Sequence, residues 1–202
     1  MLKVGVVGCG HLGKIHIKLL IQSNHYILIG VFDTNPSICE SVANEFNCQY
    51  FKHIKDMLDE IDVIDIVTPT PHHFKYAKMA IDNGIQVFIE KPVCSNTTES
   101  SKLLELSKSK NIKIQVGHVE RFNPAYTTVE SYIDNPMFIE SHRLAKFNPR
   151  GTDVSVVLDL MIHDIDIILN CVGSDVKQIS SSGVCVISDS PDIANARIEF
   201  EN

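Results

Sequence analysis

Tryptophan is absent from these 202 residues, and so is any basic stripe: 18 lysines and arginines stand against 25 acids, a formal charge of -7. Phosphate-backbone binding is built on clustered cations with aromatic stacking surfaces beside them, so nucleic acid is not an expected partner. Long apolar runs are missing too. The opening Met1-Leu2-Lys3 leads into a short strand and a glycine turn, too brief and interrupted for a signal peptide or a membrane span, which argues against a membrane and for the cytoplasm. The six cysteines, Cys9, Cys39, Cys48, Cys94, Cys171 and Cys185, include no pair at a metal-ligand or redox spacing. They read as free thiols in a reducing compartment. Among nine histidines, His72 and His73 are adjacent and the rest form no short ligand cluster, so no metal site is expected.

What is present begins almost at once. Val4-Gly5-Val6-Val7 reads as a strand, Gly8-Cys9-Gly10-His11-Leu12-Gly13 as a tight turn, and Lys14 to Leu20 as the helix that follows. A second strand-like run, Tyr26 to Phe32, delivers Asp33 twenty positions after Gly13, the spacing of an acid that bonds an adenosine ribose. Gly8 can take the backbone angles of a sharp turn. Gly10 brings no side chain against a pyrophosphate, and Gly13 lets the helix pack closely on the strand with its N-terminal amides aimed at the phosphates. His11 and Leu12 complete the turn. A carboxylate on both ribose hydroxyls repels a 2′-phosphate, and Thr34-Asn35-Pro36 supply no arginine to receive one, which favours NAD over NADP. Asp33 could instead cap the helix starting near Ser37, a role open equally to Thr34 or Asn35.

Strand and helix then alternate as far as Gly117. Val63 to Val67, Gln86 to Ile89 and Lys113 to Val116 read as strands; Phe74 to Asn83, closed by Gly84, and Glu99 to Lys110 read as helices. Such alternation builds a doubly wound α/β fold, a Rossmann-type parallel sheet with helices on both faces. Its ligands sit beyond the carboxyl ends of the strands. The residues expected there are Gly8 to Gly13, Asp33, Thr68-Pro69-Thr70, Glu90-Lys91-Pro92 and Gly117-His118, with His73 just after the threonine loop. A lysine such as Lys91 held beside a substrate hydroxyl favours the developing alkoxide. A surface Glu-Lys pair before a loop proline is the alternative for this tripeptide.

The boundary between a dinucleotide-binding domain, 1–120, and a second domain, 121–202, falls where the alternation stops. Arg121-Phe122-Asn123-Pro124 opens a helix expected to reach about Asp134, followed by a strand near Phe138 to Phe147 and two more, Val176 to Ile187 and Ala194 to Phe200. Between them Val156 to Leu169 is apolar nearly all round, except that Asp159, His163 and Asp166 fall at i, i+4 and i+7 with Asp164 beside them. Unpaired burial of such groups costs several kcal/mol, so the stripe must meet a wet cleft or partner groups. It can be an ordinary solvated face. It can also be a general base, His163, oriented by Asp159, whose unperturbed pKa for the residue type suits proton abstraction from an alcohol.

GCGHLG, TPTPHHF with His73, EKP, VGHVERFNPA and LDLMIHDID together resemble the glucose-fructose oxidoreductase, inositol dehydrogenase and rhizopine-catabolism (Gfo/Idh/MocA) family of oxidoreductases. The resemblance implies an N-terminal Rossmann domain plus an α+β domain with a mainly antiparallel open sheet, and a catalytic group formed by Lys91, Asp159 and His163. The wording ERFNPA and DLMIHDID is similar to that of nucleotide-sugar members. That implies oxidation by NAD of the 3-hydroxyl of a nucleotide sugar such as UDP-N-acetylglucosamine to a ketone, which an aminotransferase would consume in making a 2,3-diamino sugar. Arg143 and Arg150 flank the loop before the striped helix and could meet a substrate diphosphate or stand as solvated loop residues. Family members usually run longer, with more strands in the second sheet. A short sheet leaves a free edge and an uncovered apolar face, which invites homo-oligomerisation or instability. The rival reading is a truncated, non-catalytic remnant that binds the dinucleotide only.

Overall fold

The computed structural model describes residues 1–146 and 154–202. Its contacts divide the chain into two compact units, Met1–Gly117 and His118–Asn202. Met1–Gly117 is built from β1 (Leu2–Val7), α1 (His11–Gln22), β2 (Tyr26–Phe32), α2 (Pro36–Phe46), β3 (Gln49–Tyr50), α3 (Ile54–Leu58), β4 (Val63–Ile66), α4 (His73–Asp82), β5 (Gln86–Glu90), α5 (Thr97–Lys110) and β6 (Ile114–Gly117). The strands form one parallel sheet in the order β3-β2-β1-β4-β5-β6. Because the order reverses between β1 and β4, the strand ends there open a crevice.

Alternate residues of β1 serve opposite faces. Val6 belongs to one core cluster with Ile17, Val31, Cys39 and Val42, whereas Val7 belongs to another with Phe32, Ile64, Ile66, Ile81 and Leu103. Burial on both faces is why these strands read as continuous apolar runs. The helices stop and start on local chemistry. Asn35 caps α2 through bonds from the N–H groups of Ser37 and Ile38, with Pro36 in the first turn, and Asn96 caps α5 through the N–H of Glu99. Two small elements, β3 and α3, carry too short a pattern to be legible in advance.

His118–Asn202 opens with a 3-10 turn, Val119–Phe122, then α6 (Pro124–Val129), capped by Asn123, and a second 3-10 turn, Glu130–Tyr132. The single helix expected to reach Asp134 is therefore broken at Val129. A π turn, Val157–Met161, leads into α7 (Ile162–Val172), which ends at Gly173 in the left-handed region (φ 62°). β7 (Val176–Val184) and β8 (Ile193–Phe200) form an antiparallel pair. The Asp192 carboxylate accepts bonds from the N–H groups of Val186, Ile187 and Ser188 (2.8, 2.7 and 3.0 Å), which closes the loop between the two strands and holds that carboxyl below the usual range. The strand expected near Phe138 to Phe147 is absent over the described part, residues 138–146. A strand exists only against a partner ladder, and among the described residues β7 and β8 pair only with each other. Among the described residues no helix is long and apolar enough to cross a membrane.

Candidate active site

The glycine turn has the construction a pyrophosphate requires. Gly8 adopts φ +106°, and a Cβ there would stand 2.6 Å from the Val67 carbonyl oxygen, so the turn presses against the end of β4. A Cβ on Gly13 would collide with the Gly8 carbonyl oxygen. A Cβ on Gly10 would meet nothing within 4 Å. The packing of the chain thus demands two of the three glycines, while the third faces open space. Gly10 is also the N-cap of α1, where no side chain caps the helix and no acid lies in the first turn. Uncommitted amides at the positive end of a helix dipole suit a phosphate, with His11 and Leu12 exposed at its mouth.

Asp33 follows β2 directly. Its Oδ2 accepts the Cys9 N–H and its Oδ1 the Asn35 N–H, each at 2.8 Å. It is not the cap of α2, which is Asn35. Each carboxylate oxygen keeps a further lone pair, so the group is held at the crevice with capacity to accept from hydroxyls. Beyond β4, the buried Thr68 Oγ1 has no hydrogen-bond partner among the described residues. A buried hydroxyl left in that state fits a bond reserved for a ligand. These features fit an NAD: the turn for its pyrophosphate, Asp33 for its adenosine ribose, and Thr68-Pro69-Thr70 beyond the next strand.

His73 lies deeper than the sequence suggests. It is buried, with Nδ1 2.8 Å from the Pro92 carbonyl oxygen and Nε2 2.8 Å from that of Thr68. It ties the threonine loop to the loop of Lys91-Pro92, whose peptide bond is cis. Thr70 is buried at the start of a 3-10 turn that leads into α4. Glu90 ends β5, and its Oε2 accepts the Lys91 N–H at 3.1 Å. His16 and Asp65 join Glu90, with His16 Nδ1 3.0 Å from Asp65 Oδ2 and Nε2 3.4 Å from Glu90 Oε1. Neither His16 nor Asp65 belongs to a motif of the sequence, although an acid in mid-strand, Ile64-Asp65-Ile66, is a visible signal.

In His118–Asn202 the polar stripe divides. Asp166 is 8% exposed and holds Arg121 in a two-pronged pair, Nε to Oδ2 and Nη2 to Oδ1 at 2.7 Å each, with His118 Nδ1 3.8 Å away. Arg121 Nη1 also donates to Asn170 Oδ1, and Asn170 donates to the Tyr126 hydroxyl and to Glu130 Oε1. These bonds fasten α7 to the segment that includes α6, and the Asp166 carboxylate raises the Arg121 pKa. Asp164 takes Arg143 and Ser141. Burial pushes that carboxyl up, but the guanidinium and hydroxyl outweigh it and hold it below its usual range. Arg143 is thus engaged within its own unit, and Arg150 lies outside the described residues. Asp159 stands in the π turn and His163 in the first turn of α7, both half-buried. π turns recur at functional sites.

Comparison with known proteins gives concordant matches. UDP-N-acetylglucosamine 3-dehydrogenase of Acidithiobacillus ferrooxidans is 35% identical over 202 residues, all of this chain and 64% of that protein. Its solved structure superposes with a TM-score of 0.93 over 99% of this chain and 66% of that one. The scyllo-inositol 2-dehydrogenase (NAD(+)) of Bacillus subtilis is 30% identical over 194 residues, 90% of this chain and 57% of that protein. A putative myo-inositol dehydrogenase from Sinorhizobium meliloti, 22% identical with a TM-score of 0.86 over 100% of this chain and 66% of that one, shares the fold. The chain spans less than two thirds of the length of the first two relatives. Residues 2–118 match the oxidoreductase family with an NAD-binding Rossmann fold, and the chain belongs to that family, Gfo/Idh/MocA.

Proposed function

We propose that this chain carries the cofactor site and catalytic residues of an NAD-dependent dehydrogenase that oxidises the 3-hydroxyl of a nucleotide sugar such as UDP-N-acetylglucosamine to a ketone. The observation that carries the reading is the 35% identity, along all 202 residues, to a UDP-N-acetylglucosamine 3-dehydrogenase. The dinucleotide supplies the hydride chemistry when bound. In this reading Gly8, Gly10 and Gly13 receive its pyrophosphate, Asp33 its adenosine ribose, and Thr68 to Thr70, Glu90 and His118 its nicotinamide half. His163 takes the proton of the reacting hydroxyl, Asp159 holds His163 in the tautomer that accepts it, and Lys91 stabilises the charge on the substrate oxygen. Free thiols at all six cysteines suit a reducing cytoplasm.

The test is NADH formation with the purified chain, excess NAD and UDP-N-acetylglucosamine, beside Lys91→Ala and His163→Ala. The expected result is turnover lost in both variants, with NAD affinity within about twofold of the parent. Equal loss of turnover and affinity would remove Lys91 and His163 from the chemistry. Intact binding without turnover in the parent would favour a chain that only holds the dinucleotide.

A further inference from the structure

A charged cluster, buried at Asp65 and half-buried at His16 and Glu90, lies inside Met1–Gly117, assembled from four elements. Asp65 sits within β4, 5% exposed, where a strand covered on both faces ordinarily carries an aliphatic side chain. His16 from α1 places Nδ1 3.2 and 3.0 Å from the two Asp65 oxygens and Nε2 3.4 Å from Glu90 Oε1. The Phe88 ring covers the imidazole edge-on, with centroids 5.9 Å apart. On β6, Gly117 leaves the space the Glu90 carboxylate fills, since a Cβ there would stand 2.6 Å from Oε1. The other Glu90 oxygen accepts the Lys91 N–H.

A neutral imidazole has a single N–H, yet both ring nitrogens of His16 face carboxylate oxygens. A second proton bonded within this group has its place on the imidazole or on one of the two carboxylates. Burial by itself would lower the His16 pKa, but Asp65 and Glu90 outweigh it and raise it to about 10. Burial pushes the Asp65 carboxyl up, against the pull of His16. The imidazole is the better home for the proton, because from there it serves two carboxylates instead of one. Asp65 on β4 and Glu90 on β5 are the charged groups that face it.

We propose that His16 and Asp65 are positioning residues for Lys91: the Asp65-His16-Glu90 chain fixes the Glu90 carboxylate, and the bond from the Lys91 N–H to that carboxylate sets where the lysine stands. A glutamate at a strand end has three side-chain torsions and wanders unless confined. Here an imidazolium holds one oxygen and Gly117 leaves no wider berth. The importance for chemistry rests on the proposed role of Lys91; the chain of contacts stands apart from it. Displacing a reacting group by an ångström costs about a hundredfold in rate, which gives the cluster a reason to be polar.

The experiment uses the full chain uniformly labelled with 15N and observes the His16 ring nitrogens and the Lys91 amide. At about pH 8, where a histidine of ordinary pKa is neutral, both His16 nitrogens should carry protons. In His16→Asn and in Gly117→Ala the Lys91 amide should exchange at least about tenfold faster, while those of Val6 and Ile64 keep their rates, the mark of local instead of global opening. Gly117→Ala displaces Glu90 without removing any charged group of the cluster, and it carries the test by itself if His16→Asn fails to fold. A neutral His16 at that pH, or an unchanged Lys91 amide in the folded variants, overturns the proposal. Neither readout needs a substrate, so failure to turn over any sugar would count against the proposed function and leave the chain of contacts standing.

Discussion

Three glycines of one turn do three different jobs, and single substitutions separate them. Gly13→Ala drives a methyl into the Gly8 carbonyl, an overpacking that should cost about 1–3 kcal/mol or more and be read as a lowered denaturation midpoint. Gly10→Ala meets no atom of the chain. It should cost no more than about 1 kcal/mol, the usual scale for alanine at an N-cap, yet weaken NADH binding at least about tenfold if the pyrophosphate rests there. Thr68→Val should leave the free chain as stable or about 1 kcal/mol more stable, because it removes a buried hydroxyl without a partner, and should lower NADH affinity. A Thr68→Val chain that binds NADH as well as its parent would remove Thr68 from the cofactor site.

Between elements, the connections that matter are charged. With the His16 pKa raised to about 10, the folded chain keeps a proton that the unfolded chain gives up near the ordinary histidine value. Its stabilisation is therefore complete below about pH 6.5 and is lost as pH rises toward 10. Urea unfolding at pH 7, 8 and 9 should show stability falling with a slope of up to about 1.4 kcal/mol per pH unit from this group, a slope that His16→Asn removes. The segment before α7 is joined to it by the Arg121-Asp166 pair. Arg121→Ala strands a carboxylate that is 8% exposed and should destabilise by about 3 kcal/mol, whereas Asp166→Ala leaves an arginine that can turn to water and should cost less. The same pairing explains why the polar stripe was only partly legible. Helical spacing puts Asp159, His163 and Asp166 on one side, but it says nothing of which cation waits opposite each.

For the whole molecule, burial is uneven. Among the described residues every buried apolar side chain belongs to Met1–Gly117, and the buried side chain of His118–Asn202 is Asp166. Two-stranded sheets are marginal by themselves, and β7 and β8 leave Ile179 and Ile193 62% and 60% exposed. Limited proteolysis should accordingly cut within His118–Asn202 first and leave a resistant fragment ending near Gly117 that still binds NADH, read by mass spectrometry and fluorescence. A first cut within the six-stranded sheet would refute that division. Exposed apolar positions of this kind also lead us to expect self-association, which sedimentation at several concentrations would reveal.

Local chemistry was enough to write most of Met1–Gly117 in advance. The glycine turn, the strand-helix alternation and the acid after β2 depend on backbone angles and periodicities that each segment carries by itself, so they read correctly from a single chain. The strand near Phe138 could not be judged that way, because a strand is completed by a neighbour that its own residues do not specify. His16, Asp65, Glu90 and Gly117 are spread over 102 positions of sequence, and nothing in their spacing unites them. Only the crossing of α1 over the parallel sheet brings an imidazole between two carboxylates, because burial and proximity, which give those charges their meaning, are properties of the packed fold.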